Sequence, residues 1–548
     1  MDARINTSPV TLDGGAVAVT ASDSSRVDAD SGGAALAFGA GTSSAGVAVG
    51  IGIGLSVNNL SNTITAAIDD STVISRAGVR VEATSASSIR AYSFGVAGAV
   101  AAGASAGVGI AGAGSGSGGY IANATTARIK GSTVTAGGPL TVRASDSAVI
   151  ETIAGAGALA VGAGGSVGVS VAVGISVALN DIRNSTRATV ENSTLIDSGS
   201  VLLDAASTSK IKAATVAGAA SVGLGVDVGV AVSGAGAVSL NNIHNTVEAT
   251  ASNSSFQLRN GAGFAVIAAD RATLKADAAA ISLALAAGQY AAVGAAVGAS
   301  VAINEIGNTT LAKVADVNVT SRNGGTLGAV SVKAESDAEI DALSVSAAGA
   351  ASVSLYAAVA VAGAGAVSQN AIANSTQALV SDSTFAKSGS VTVRASNDAD
   401  ILANAVGASA TLAVAIGAAA LSFGLAMADN HIDNLTLAEV EDAGFDSEGT
   451  ITVEAVSAGR IDALAVGAAI ALSGGVGAVA LAGAAGVTNN TVSNDTQALV
   501  LSSAPSVAVP GEGLRAVGDI VVKAGDVAAI KAENVAASVA VIVSAGGA

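Results

Sequence analysis

One phrase, Asn-x-apolar-x-Asn, returns along the whole chain. It reads NNLSNTI from Asn58, NDIRNST from Asn180, NNIHNTV from Asn241, NEIGNTT from Asn304, NAIANST from Asn370, NHIDNLT from Asn430 and NTVSNDT from Asn490, with a partial copy, YIANATT, from Tyr120. Its second Asn falls at Asn62, Asn123, Asn184, Asn245, Asn308, Asn374, Asn434 and Asn494, in steps of 61, 61, 61, 63, 66, 60 and 60 residues. So regular a period means one supersecondary unit repeated, and residues 1–548 are expected to form a single repeat array rather than a row of globular domains.

Between the copies lies an apolar block. In SVGVSVAVGISVAL, Val167, Val169, Val171, Val173, Ile175, Val177 and Leu179 take one parity, and Gly168, Ser170, Ala172, Gly174, Ser176 and Ala178 the other. Strict alternation is the period of a strand, and both Gly and β-branched residues weaken the helical alternative. The GAGG at Gly162 to Gly165 predicts two long strands joined by a glycine turn. We expect both faces of these strands to be buried in packed sheets. The Ala-rich runs at Ala278 to Ala302 and Ala410 to Ala428 stay open between strand and helix. After each Asn motif comes a segment such as RATVENSTLIDSGSVLLDAAS, which reads as two short strands and their turns, the size of one coil of a β-solenoid. The expected fold class is therefore all-β: an elongated, solenoid-like array of about 61-residue repeats, each with a short β-helix coil plus two long Ala/Gly/Val strands.

Composition narrows the functions. Hydrophobic residues make up 51% of the chain and charged residues 12%, so the chain must bury surface and is not a disordered tract. No cysteine is present, which excludes disulfides and thiolate metal sites. A net charge of −17 argues against a nucleic-acid partner. The two histidines, His244 and His431, occupy different places in two Asn motifs and do not recur. No P-loop, His-Glu-x-x-His or nucleophile elbow stands in the required context. The chain is expected not to be an enzyme and to need no cofactor.

The Asn motif has two structural readings. As a strand, it places Asn180, Ile182 and Asn184 on one face, and stacked copies would form amide ladders; as a turn, it uses the tolerance of Asn for left-handed backbone. Asn123, Asn184, Asn308, Asn374, Asn434 and Asn494 also stand in Asn-x-Ser/Thr, a glycan-acceptor pattern. Acidic turns at Asp69, Asp70, Glu191 and Asp382 raise calcium as an alternative to solvated carboxylates, although the calcium-repeat nonapeptide is absent. The candidate structural residues are thus the two Asn columns: Asn58, Asn180, Asn241, Asn304, Asn370, Asn430 and Asn490, and Asn62 with its seven successors.

The Gly-x-Val-x-Val-x-Ala phrase after a Ser/Asn-rich turn, as in SGSVTVRAS, resembles the β-helix repeats of filamentous-haemagglutinin-type adhesins and autotransporter passengers. The resemblance implies a structural or adhesive repeat region of a bacterial cell-surface or secreted protein, fibre- or sheath-forming. Uncovered Val-rich strand faces and unpaired strand edges at the ends of the array predict self-association, and a host-surface or matrix ligand is the further partner expected. A membrane-associated or lipid-binding β-protein is the alternative. MDARINTSPV carries no export signal and the last repeat stops short of its Asn motif, so we expect a segment of a longer protein.

Overall fold

The computed structural model describes residues 1–501 and 513–544; the last four residues of the terminal AASVAVIVSAGGA lie outside them. Strands occupy 84% of the chain and no α-helix occurs among the described residues. The Ala-rich runs are strands as well, within Phe264–Ala287, Ala291–Ile306, Val391–Val414 and Gly417–Ile432.

One repeat shows the coil. A 25-residue strand, Leu140–Gly164, runs outward, turns at Gly165 and Ser166, and returns as the 16-residue strand Val167–Ile182. Two short strands, Ser185–Glu191 and Thr194–Ser198, close the coil before Val201–Gly225 begins the next. Every strand pairs in parallel with its counterparts one repeat away, so that Val142 stands between Val81 and Leu203. Stacking yields three sheets: one of ten strands built on the long strands, one of eight from the 16-residue strands, and one of 16 from the short strands. The result is an elongated β-solenoid-like stack. The longer 63- and 66-residue steps are absorbed at the head corner, in Arg259 to Gly263 and in the 3-10 turn Arg322–Gly324 with its flanks.

Each coil has two parts. In the head, the short strands and the start of the long strand enclose large side chains such as Ile64, Ile129, Val142, Val190 and Leu195. Phe385 there stacks on Phe445 with ring centroids 4.6 Å apart. Beyond the head, the long strand and the returning strand lie back to back as a two-layer slab. They share no sheet, so the glycine turn joins two sheets rather than making a hairpin.

The slab overturns one expectation. Only one face of each strand is buried, and it is the small one: Gly168, Ser170, Ala172, Gly174, Ser176 and Ala178 point inward. Their Val, Ile and Leu neighbours point out, Ile175 and Leu179 being 50% and 51% exposed. The cause is geometric. A coil with two layers has one interior, and the layers meet so closely that a Cβ on Gly162 would lie 1.9 Å from the carbonyl oxygen of Val169. A Cβ on Gly168 would lie 2.0 Å from that of Leu224. Sheets spaced by ordinary side chains stand about 10 Å apart; here, toward the rim, backbone approaches backbone and branched residues are excluded, while next to the head the layers still enclose Ile150 and Ile182.

Candidate interaction surface and its polar seam

The two Asn columns occupy different structural places. The first Asn of each motif lies inside the returning strand, and Asn180, Asn241, Asn304, Asn370, Asn430 and Asn490 stand in register. Each Nδ2 donates to the next Oδ1, at 2.8 Å from Asn180 to Asn241 and 2.9 Å from Asn241 to Asn304. The bonds continue at 2.8 Å to Asn370, Asn430 and Asn490. Gly119 interrupts this column, and the Asn58 amide donates instead to Ser56 and to the Gly118 carbonyl.

The second Asn stands at the corner between slab and head. Its Oδ1 accepts the backbone N–H of the preceding copy: Asn123 from Asn62 at 3.1 Å, Asn184 from Asn123 at 2.8 Å, Asn245 from Asn184 at 3.2 Å. Asn308, Asn374 and Asn434 repeat the bond. Since Asn123, Asn184, Asn308, Asn374 and Asn434 are at most 2% exposed, the folded stack leaves no room for a glycan on them.

The second Asn amides also meet a column from the long strands, reading Asp23, Ser85, Asp146, Ser207, Asp270, Ser336, Asn397, Ser457 and Asp526 in register. Asn184 Nδ2 donates to Asp146 at 2.7 Å and Asn308 Nδ2 to Asp270 at 2.6 Å. Burial pushes the carboxyl groups of Asp146 and Asp270 up to about 6, against the hydrogen bonds that Asn and Ser donate to them. Alternation with Ser keeps the carboxylates roughly 10 Å apart, two strand spacings, where adjacent ones would oppose each other's ionisation. Sequence reasoning missed this seam; its signal, an acid in alternate repeats four residues before a buried Ile or Leu (Asp146 before Ile150, Asp270 before Leu274), is legible only once register is known.

A serine column was missed too. Ser71, Ser132, Ser193 and Ser254 each accept, on Oγ, the backbone N–H one repeat earlier. Beside it, Asp70, Gly131, Asn192, Asn253, Asp316, Asp382 and Asp442 all have positive φ, the left-handed backbone for which Gly, Asn and Asp are suited. Asp70 and Asp382, considered above as calcium ligands, are these turn residues. Asp69 pairs with Arg128 at 2.8 Å, and Glu191 lies 3.5 Å from Lys130. Among the described residues no group of three or more His, Asp and Glu is gathered closely enough to hold a metal ion. His244 and His431 lie at the surface, 3.4 Å from Glu305 and 3.9 Å from Asp433.

Charge is concentrated on the head and the adjoining end of the slab, and Asp227 stands at a rim turn. No charged residue occurs from Thr152 to Asn180, and residues 342–381 and 401–428 repeat the pattern. The slab therefore presents two apolar outer faces. At its rim, Tyr290 and Tyr356 stack at 5.6 Å, and Leu224, Val226, Val353 and Leu355 line an open apolar hollow of about 1040 Å³. Monomers seldom expose so continuous an apolar surface without using it for association. Comparison with models of known protein families finds no match, and a search of curated proteins finds none either. The class is defined by the fold alone: an all-β, solenoid-like stacked array.

Proposed function

We propose that the chain is a structural, adhesive repeat region of a bacterial cell-surface or extracellular protein, the shaft of a fibre or sheath, as its resemblance to filamentous-haemagglutinin-type repeats implies. The observation that carries this reading is the union of a one-to-one register along the long and returning strands with apolar outer faces. Register makes a long, stiff stack, and the faces supply lateral adhesion between stacks. The work is mechanical, with no cofactor. A host-surface or matrix ligand would meet the head, where Asn192, Asn253, Asp316 and Asp382 line a polar groove. Negative-stain electron microscopy and light scattering in detergent-free buffer test the proposal. Elongated particles that associate laterally are expected; compact particles, or a chain kept in solution only by amphiphile, would overturn it.

The second reading, a membrane-associated or lipid-binding β-protein, is favoured by those same Val, Ile and Leu faces, which suit acyl chains. Flotation of the chain with phosphatidylcholine vesicles, at the expense of its self-association, would select it.

A further inference from the structure

The outer face of the eight-stranded sheet is corrugated. In one outward row, Ile51, Val173, Val297 and Phe423 alternate, repeat by repeat, with Gly112, Gly234, Gly363 and Gly483. The next outward row follows the pattern, with Ile53, Ile175 and Leu425 set against Gly114, Gly236 and Gly365, and with Ala299 in one ridge place and Ala485 in one trough place. Ridges and troughs thus succeed one another with a period of two strands, roughly 10 Å.

Gly112, Gly114 and Gly483 lie beside the Ile51, Ile53 and Phe423 side chains, but the other four outward glycines have no reason within the chain. Glycine weakens a strand, and in a strand interior it marks close approach of something else. The inward glycines answer to the opposite layer, as Gly162 does. Above Gly234, Gly236, Gly363 and Gly365, by contrast, a Cβ would meet nothing within 4 Å, and none of the four has positive φ. Whatever requires the troughs lies outside the chain.

On the reading that the chain is a self-associating structural region, we infer that the occupant is a second copy, docked face to face about a two-fold axis. With eight strands alternating ridge and trough, an axis at the centre of the face reverses their order and sets every ridge over a trough. The axis runs along the strands, so each row meets itself: Val297 faces Gly234 of the other copy, Val173 faces Gly363, and Phe423 faces Gly112. Flanking rows such as Val169 and Val177 keep the sheets near the ordinary spacing. The interface is isologous, so one patch serves both copies. Eight strands about 4.8 Å apart, each with about 35 Å of outward apolar rows, present roughly 1,300 Å², above the ~800 Å² per partner of a stable interface. Across the eight strands the rows from Val167 to Val177 carry no charge to oppose contact; the first charge is Asp429, in the Leu179 row. Fluid acyl chains would cover this face equally well without troughs of fixed spacing.

The chain lacks cysteine, so single thiols report cleanly. In the full chain, Ala299→Cys places a thiol beside the axis and should link two copies through a short bismaleimide, each thiol adding to one maleimide. Leu283→Cys, on the outer face of the opposite sheet, should not. Filling troughs with G234V and G363V should weaken dimerisation at least about tenfold, as read by analytical ultracentrifugation, with the melting temperature of the chain unchanged or raised. Equal dimerisation by the filled variant, equal linking at Leu283→Cys, or a wild-type monomer that floats with phosphatidylcholine vesicles would overturn the inference. Filaments that persist without the Ala299→Cys link would overturn the two-fold contact alone. Compact, non-associating particles would remove the structural reading beneath it.

Discussion

At the scale of single residues, stability rests on polar side chains that the stack hides. Asn241 is fully buried and both accepts from Asn180 and donates to Asn304. Replacement by Ala leaves an unpaired Asn180 donor and an unpaired Asn304 acceptor, each costing about 1–3 kcal/mol. Asn241→Ala is expected to lower the urea midpoint and to speed amide exchange in the adjoining strands. Exchange unchanged around residues 178–182 and 302–306 would show the ladder to be energetically idle. Asp270 acts in the other direction. Its folded carboxyl titrates near 6, above the ordinary 3.8, because burial disfavours its charge. Below the unfolded value both states hold the proton and no penalty exists; as pH rises through 4 to 6 the unfolded state ionises first and native stability falls. The full penalty is about 3 kcal/mol, two pKa steps of roughly 1.4 each. Asp270→Asn, with the residue that Asn397 supplies two repeats later, should flatten the decline in melting temperature between pH 4.5 and 7 by part of that amount. An identical slope in wild type and variant would contradict a buried, perturbed carboxyl.

At the scale of strands, glycine has two opposite meanings separated by one residue. Inward Gly162 lies against the opposite backbone, whereas outward Gly234 lies under open space. Gly162→Ala must therefore push the layers apart, with a loss of about 1–3 kcal/mol or more typical of overpacking. Gly234→Ala should be neutral or stabilising in the isolated chain, since Ala restricts the unfolded state. Chemical denaturation of both variants tests the pair, and equal losses would mean that the slab interior is looser than its backbone contacts require. The long alternating strands, the short head strands and the array period were all legible in the sequence, because each rests on a local period. The Ala-rich stretches such as Ala278 to Ala302 were not, since alanine serves helix and strand alike. They are strands because Ala280 stands between Ala217 and Ser346 in a ladder that extends from repeat to repeat.

At the scale of the molecule, no repeat pairs its own strands among the described residues. All sheet pairing runs between repeats, so a single 61-residue unit, such as residues 140–200, should be unfolded, and melting temperature should climb as repeats are added. Cooperative melting of one repeat at the temperature of the full chain would refute the stack. The molecule is also polar from edge to edge across the coil. Ion pairs such as Arg187–Glu248 at 2.8 Å on the head and Lys275–Asp341 at 2.6 Å on the adjoining end of the slab link repeats away from the rim. A charged edge and a largely apolar edge align down the stack, which is why lateral association is expected of the slab and solubility of the head.

The sequence by itself determined the repeat, its strand periods and the position of the Asn columns, since these depend on spacings along one chain. It also determined that each long strand has one large and one small face. Which of those faces turns inward was decided only by tertiary structure. Alternation carries no sign: Val169 and Gly168 exchange sides if the coil closes the other way. The arch at Gly165 and Ser166 sets two layers back to back at backbone distance, and only the Gly, Ala and Ser faces fit that gap. Register decided the rest. Asp146 and Asp270 share a buried seam, and Gly112 and Gly234 lie in troughs between ridges, because strands 61 to 63 residues apart lie side by side.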